Sequence, residues 1–275
     1  MRISLCNEVL AGLPFAAQCT LAAELGYDGL EIAPFTLSED PLSLTAAERK
    51  VIRRAVEETG LAVTGLHWLL VTPKGMSITD TDPAVRRRTR DMMQGLCELC
   101  ADLGGRYLVH GSPAQRQLPE RDIHAAKGYA LEAFRYAARA AEKAGVIYCV
   151  EPLSRRETNF INTVAEAIGV VEGIGSNSFR TMIDCSAAGL AEEESVAELI
   201  ARWMPSGLIS HIQVNDPNRK GPGQGDMDFV PIIAALKQHD YAGDIGVEPF
   251  IYEPNGPGVA AHSIRYLRNL LGAAA

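Results

Sequence analysis

The chain has 275 residues, 47% hydrophobic and 22% charged, with a formal net charge of -8. Such a composition belongs to an ordinary water-soluble globular protein, and its acidic balance argues against a nucleic-acid partner, which selects a basic stripe. No stretch approaches the roughly 20 apolar residues that a membrane-crossing helix needs.

In chain order the hydrophobic pattern alternates between short apolar runs and longer segments of helical spacing. RISLC (2–6) reads as a strand and PFAAQCTLAAELG (14–26) as a helix. GLEIAPF (29–35) is followed by TAAERKVIRRAVEETG (45–60), with Thr45 placed to cap the helix. LAVTGLHWLLV (61–71) precedes a helix over 83–103, and RYLVHG (106–111) one from about 120 to 143. VIYCVEP (146–152) precedes VAEAIGVVEGI (164–174), and FRTMIDCS (179–186) precedes SVAELIARW (195–203). LISHIQVND (208–216) leads to FVPIIAALKQHD (229–240), and DIGVEPF (244–250) to HSIRYLRNLLG (262–272). Eight strand–helix units whose strands are apolar throughout predict a closed parallel (β/α)8 TIM barrel. An open doubly wound sheet is the weaker reading, because CNEVLAGLP after the first strand has no G-x-G-x-x-G fingerprint. No Pro-, Gly- or Ser-rich linker divides the chain, so residues 1–275 read as one barrel domain.

Several features read as structural. The basic clusters at 86–88 and 155–156 are short and far apart, as solvated faces are. Cys97 and Cys100 form a C-x-x-C with no second ligand pair nearby, and are expected as core thiols. The start, MRISLCNEVLAG, makes a poor export signal because Asn7 and Glu8 interrupt its apolar part, and the expected location is the cytoplasm.

Barrel chemistry is built at the C-terminal ends of the strands. Those positions are Glu31, His67, His110, Glu151, Asp184, His211 and Glu248, one on each strand from the second to the eighth. A single strand-end acid is usually a helix cap or an Arg partner; a run of seven titratable residues points to one shared mouth. Glu151, Asp184, His211 and Glu248 lie on four successive strands and are expected to bind one divalent metal ion. Three carboxylates and an imidazole favour Mn²⁺, with Mg²⁺, Co²⁺ or Zn²⁺ as alternatives. Cys149 and Cys185 neighbour these ligands and are expected to point away.

EPLSRRETNFINT (151–163), MIDCS (182–186), SHIQVNDPNRKGPGQG (210–225) and VEPF (247–250) resemble the metal-binding segments of the xylose-isomerase-like barrels, and within them the ketose 3-epimerases. That resemblance spans essentially the whole chain in element order. It implies a sugar isomerase or epimerase acting on a small-molecule keto-sugar through an enediolate. Glu151 and Glu248 would be the two acid/base groups, one for each face of the carbon. Glu157 and Arg219 would hold substrate oxygens, His67 and Trp68 would line the mouth, and His67 and His110 are expected to contact substrate or the metal ligands rather than bind metal themselves. Two departures stand out. The family usually places a His where this chain has Ala187, and counted from His211 the loop to Asn218 and Arg219 is two residues longer.

The same superfamily includes a three-metal DNA-repair endonuclease, which His67 and His110 resemble in position. That site also needs a His at Ala187 and another near Asp228, and neither is present. Sugar-acid dehydratases and C-glycoside lyases of this barrel begin with the same proton abstraction, and form the alternative from a different reaction class. The expected partners are a sugar, no nucleic acid and no membrane; a homo-oligomer is compatible with the sequence.

Overall fold

The computed structural model describes residues 1–272. Its elements follow the hydrophobic pattern in the order β1 Arg2–Cys6, α1 Phe15–Leu25, β2 Gly29–Ile32, α2 Ala46–Glu57, β3 Ala62–Leu66 and α3 Pro83–Leu103. Then come β4 Tyr107–His110, α4 Ile123–Ala144, β5 Ile147–Val150, α5 Val164–Ile174, β6 Phe179–Asp184 and α6 Cys185–Ala191. The series ends with α7 Val196–Trp203, β7 Ile209–Val214, α8 Phe229–Gln238, β8 Asp244–Val247 and α9 Gly256–Leu271. The eight strands pair in sequence order, all parallel, and β1 closes on β8 with Leu5 opposite Val247. This is a TIM barrel.

The differences from expectation lie at element ends and in one helix the sequence reading did not place, α6, and each has a local cause. β5 and β8 stop before Glu151-Pro152 and Glu248-Pro249, because proline has no N–H to give a ladder. β6 ends at Asp184, whose Oδ1 accepts from Ala187 N at 2.6 Å and so starts α6 at once. α9 begins at Gly256, six residues before HSIRYLRNLLG, since Asn255 caps it by accepting from Gly258 N at 2.8 Å. α3 and α4 each turn back into the barrel through a left-handed glycine, Gly104 (φ 87) and Gly145 (φ 72), where a side chain would be strained.

Outward-facing strand residues such as Leu30, Leu108 and Ile183 form a continuous core with the helices. Inside the barrel a smaller cluster holds Tyr107, Val109, Cys149 and Met182. All six cysteines are free and buried, in agreement with core thiols at Cys97 and Cys100. Among the described residues no helix is long and apolar enough to cross a membrane.

Thr45 caps α2 in a reciprocal box. Glu48 N donates to its Oγ1 at 3.3 Å, and Glu48 Oε2 accepts from Thr45 N at 2.8 Å. Thr45→Ala is expected to lower unfolding stability by about 1 kcal/mol, measured by urea denaturation; an unchanged midpoint would show that the cap contributes nothing.

Candidate active site

Period-2 alternation decides which strand-end residues reach the mouth. Cys149 and Met182 face the barrel interior, so Glu151 and Asp184, two residues further on, do so as well. Cys149 therefore points to the same side as Glu151, one layer below it, and not away as expected. Glu151, Asp184 and Glu248 are each about 5% exposed or less, and carboxylate oxygens of the three lie within 4.8 Å of one another. Asp184 Oδ2 is buried with no hydrogen-bond partner. All three border a cavity of about 420 Å³ at the mouth of the barrel. Gly111 leaves the space that Glu151 fills, since a Cβ there would meet Glu151 Oε2 at 2.2 Å.

The electrostatics follow from burial and proximity. Burial, with Glu248 and Asp184 close by, raises the Glu151 pKa well above the ordinary value, against the pull of Arg116. Burial and Glu248 do the same to Asp184. Glu248 is pushed up to about 7 by burial, which hydrogen bonding to His67 opposes. Arg116 is fully buried behind Glu151, with Nε and Nη2 unpaired. Burial lowers its pKa to about 10 while Glu151 and Glu157 work the other way.

The structure does not bring His211 into the carboxylate group. His211 is the third residue of β7 and pairs with Met182, a layer below Asp184. Its ring stacks on Tyr107 at 4.1 Å, and Nε2 lies 3.0 Å from Glu31 Oε2, off the hydrogen-bonding direction. Gln213, one inward position higher, is the residue paired with Asp184. Its Nε2 donates to Glu31 Oε1 at 2.9 Å, while its Oε1 is buried and unpartnered. Arg219 follows Gln213 at the spacing that counting from His211 overran by two residues. Glu31 itself is sealed inside the barrel, where Tyr107 Oη donates to it at 3.0 Å. Burial would raise its pKa, but His211, His67 and the Tyr107 hydrogen bond hold it below the usual value.

His67 and His110 are both fully buried and neither borders the cavity, so neither lies against substrate; His67 does contact an expected ligand, Glu248, whereas the His110 ring turns away. Tyr107 and Val109 face inward, so His110 faces outward against Phe134 of α4, with Nδ1 2.7 Å from Tyr148 Oη. Burial, helped by Arg116, drops its pKa to about 3, which keeps the ring neutral. His67 has both nitrogens engaged, Nδ1 by Glu248 and Nε2 by Glu8, each at 2.9 Å. Burial opposes charge on this ring, but Cys6 and Glu8 outweigh it and its pKa rises. Glu8 was invisible as a site residue in the sequence; only the closure of β1 against β8 brings it here.

Trp68, Glu157 and Arg219 do border the cavity. Trp68 packs between Phe35 and Phe250, 5.6 Å from each, and the Arg219 guanidinium lies 5.0 Å from the Phe250 ring centroid. Glu157 Oε2 accepts from Ser154 Oγ at 2.8 Å. Ala187 lies in the cavity wall as well.

The model of the xylose isomerase-like TIM barrel family matches residues 19–270. The chain belongs to that family. It is 27% identical over 257 residues to a D-psicose 3-epimerase of Agrobacterium fabrum, covering 92% of this chain and 84% of the relative. It is 25% identical over 254 residues to a 3-dehydro-D-guloside 4-epimerase of Escherichia coli, covering 89% and 90%. A crystal structure of a D-psicose 3-epimerase with D-fructose superposes with a TM-score of 0.83 at 22% identity, covering 99% of this chain and 100% of that one. Epimerases are isomerases, and the chain is an enzyme of that class.

Gln213, not His211, is the β7 residue level with Asp184. Gln213→Leu is expected to weaken Mn²⁺ binding by at least about tenfold, and His211→Leu by less, both read by titration calorimetry. The reverse order would return the fourth position to His211.

Proposed function

We propose that this enzyme binds one divalent cation at Glu151, Asp184 and Glu248, with Gln213 Oε1 as a further donor, and isomerises or epimerises a keto-sugar. The observation that carries the reading is the group of three buried carboxylates with an unpartnered Asp184 oxygen at a cavity. Oxygen donors alone favour Mn²⁺, Mg²⁺ or Co²⁺. When bound, the cation supplies Lewis-acid polarisation of the substrate carbonyl.

The chain's own residues carry the proton. Glu151 follows β5 and Glu248 follows β8, so the two carboxylates reach the cavity from different sides of the barrel mouth. One takes the proton from the carbon next to the carbonyl, and the C–H electron pair passes into the enediolate. The other returns a proton to the opposite face as that pair reforms a C–H bond. In the cation-free site burial raises both carboxyl pKa values, Glu248 to about 7, and a bound cation would lower them again. Glu157 and Arg219 supply polar contacts for hydroxyl oxygens, while Trp68 and Phe250 offer an apolar face for the C–H side of a sugar. Ala187 removes one polar contact from the opposite wall, which alters selectivity among sugars and leaves the proton chemistry in place.

The test is incubation of the Mn²⁺-loaded enzyme in D₂O with D-psicose, L-ribulose and a 3-keto-glycoside. Deuterium at the inverted carbon is expected, and Glu151→Gln and Glu248→Gln should each lose about 10²–10⁴-fold in rate even at saturating Mn²⁺. Release of a fragment or of an unsaturated product would replace epimerisation with elimination. Near wild-type rates in both variants would leave the two glutamates as ligands alone.

A further inference from the structure

His67 stands between two buried acids that come from opposite ends of the chain. Glu248 follows β8, whereas Glu8 lies in the short 3-10 helix Asn7–Leu10 after β1. The β1–β8 pairing that closes the barrel sets Leu5 beside Val247, so the residues that follow each strand meet. His67, just after β3, is fully buried beneath the cavity and bridges them at 2.9 Å on each side. Its backbone N–H is fixed by Ile32 O at 3.1 Å.

The proposed reaction gives Glu8 nothing to do. It does not border the cavity, it is 6% exposed, and its Oε1 is buried without a partner. A buried carboxylate with an unsatisfied oxygen is costly, so its position calls for a role. An imidazole bonded at one nitrogen can still swing about its side-chain torsions. Bonded at both, it is held in orientation, as when a carboxylate orients the histidine of a catalytic triad. With Glu248 Oε1 engaged by His67, Oε2 is the oxygen left for a cation or a substrate proton.

We propose that Glu8 and His67 form a positioning relay for Glu248: Glu8 fixes the imidazole, and the imidazole fixes the carboxylate. Neither residue touches substrate; both act through Glu248. The inference rests on the cation site proposed above. Donor atoms of Cys6, Glu8, His67 and Glu248 also lie within 4.8 Å of one another, which a second cation could use. The one-to-one matching of ring nitrogens with carboxylate oxygens at hydrogen-bond length favours the relay.

The test is a double-mutant cycle in Mn²⁺ affinity, which needs no substrate. Glu8→Leu removes the acceptor at similar volume, and His67→Asn removes the bridge. Each should weaken Mn²⁺ binding by about 10–100-fold, the range for residues that orient a metal ligand. In a Glu248→Gln background the same substitutions should cost less than about threefold, because the carboxylate they hold is gone. Should His67→Asn fail to fold, Glu8→Leu completes the cycle alone. Equal losses in both backgrounds would overturn the relay and leave a supporting role only. Two bound Mn²⁺ or Zn²⁺ ions per chain, falling to one in Glu8→Leu, would replace it with a second metal site. Absence of any Mn²⁺ uptake by the unsubstituted enzyme would overturn the cation site and the relay together.

Discussion

Three buried carboxylates within 4.8 Å of one another dominate the energetics of the barrel mouth. Two unit charges at that separation repel by about 3 kcal/mol at an effective dielectric near 20. Three such pairs together approach the whole stability of an ordinary domain, about 5–15 kcal/mol. The group therefore keeps some of its protons or shares a cation, and the upward pKa displacements of Glu151, Asp184 and Glu248 state the first of these alternatives. The second converts the repulsion into attraction, and it gives Asp184 Oδ2 and Gln213 Oε1 the partner that no protein group provides.

Much of the surrounding architecture serves to hold those carboxylates against their mutual repulsion. Asp184 is anchored through Oδ1 by the first turn of α6, which leaves Oδ2 for the cavity. Glu248 is anchored through Oε1 by His67, and Asn215 Nδ2 donates to its backbone oxygen at 3.0 Å. Glu151 has a buried guanidinium behind it and a glycine, Gly111, beneath it. Below this layer Glu31 links Tyr107 and Gln213, so the interior polar groups form a connected network rather than isolated costs. Gly246 makes room for that network, since a Cβ there would fall 2.5 Å from Glu31 Oε2.

The barrel was legible in the sequence because eight apolar runs alternate with helical ones, and proline and glycine mark the strand ends. The three acids were legible because a carboxylate at the tip of an apolar run has no packing explanation. What failed was the rule that every strand-end residue faces the mouth. His110 is the last residue of β4 and still faces outward, because inward and outward positions alternate and Tyr107 sets the phase. His211 sits in mid-strand, and its place beside Asp184 belongs to Gln213. A signal for that was present: the loop after His211 was two residues too long, which is one inward step along a strand. Glu8 carried no signal, as its role depends on barrel closure, which brings together residues 240 positions apart. The likeness to epimerases was legible in motif form, and Ala187, the departure visible in the sequence, does lie in the cavity wall.

The central claim, that the three carboxylates form a cation site, is tested most directly by anomalous diffraction from crystals grown with Mn²⁺. One strong peak is expected at roughly 2.0–2.4 Å from carboxylate oxygens of Glu151, Asp184 and Glu248 and from Gln213 Oε1. A peak between Cys6, Glu8 and His67 instead, or no peak in the barrel mouth at millimolar Mn²⁺, would contradict it.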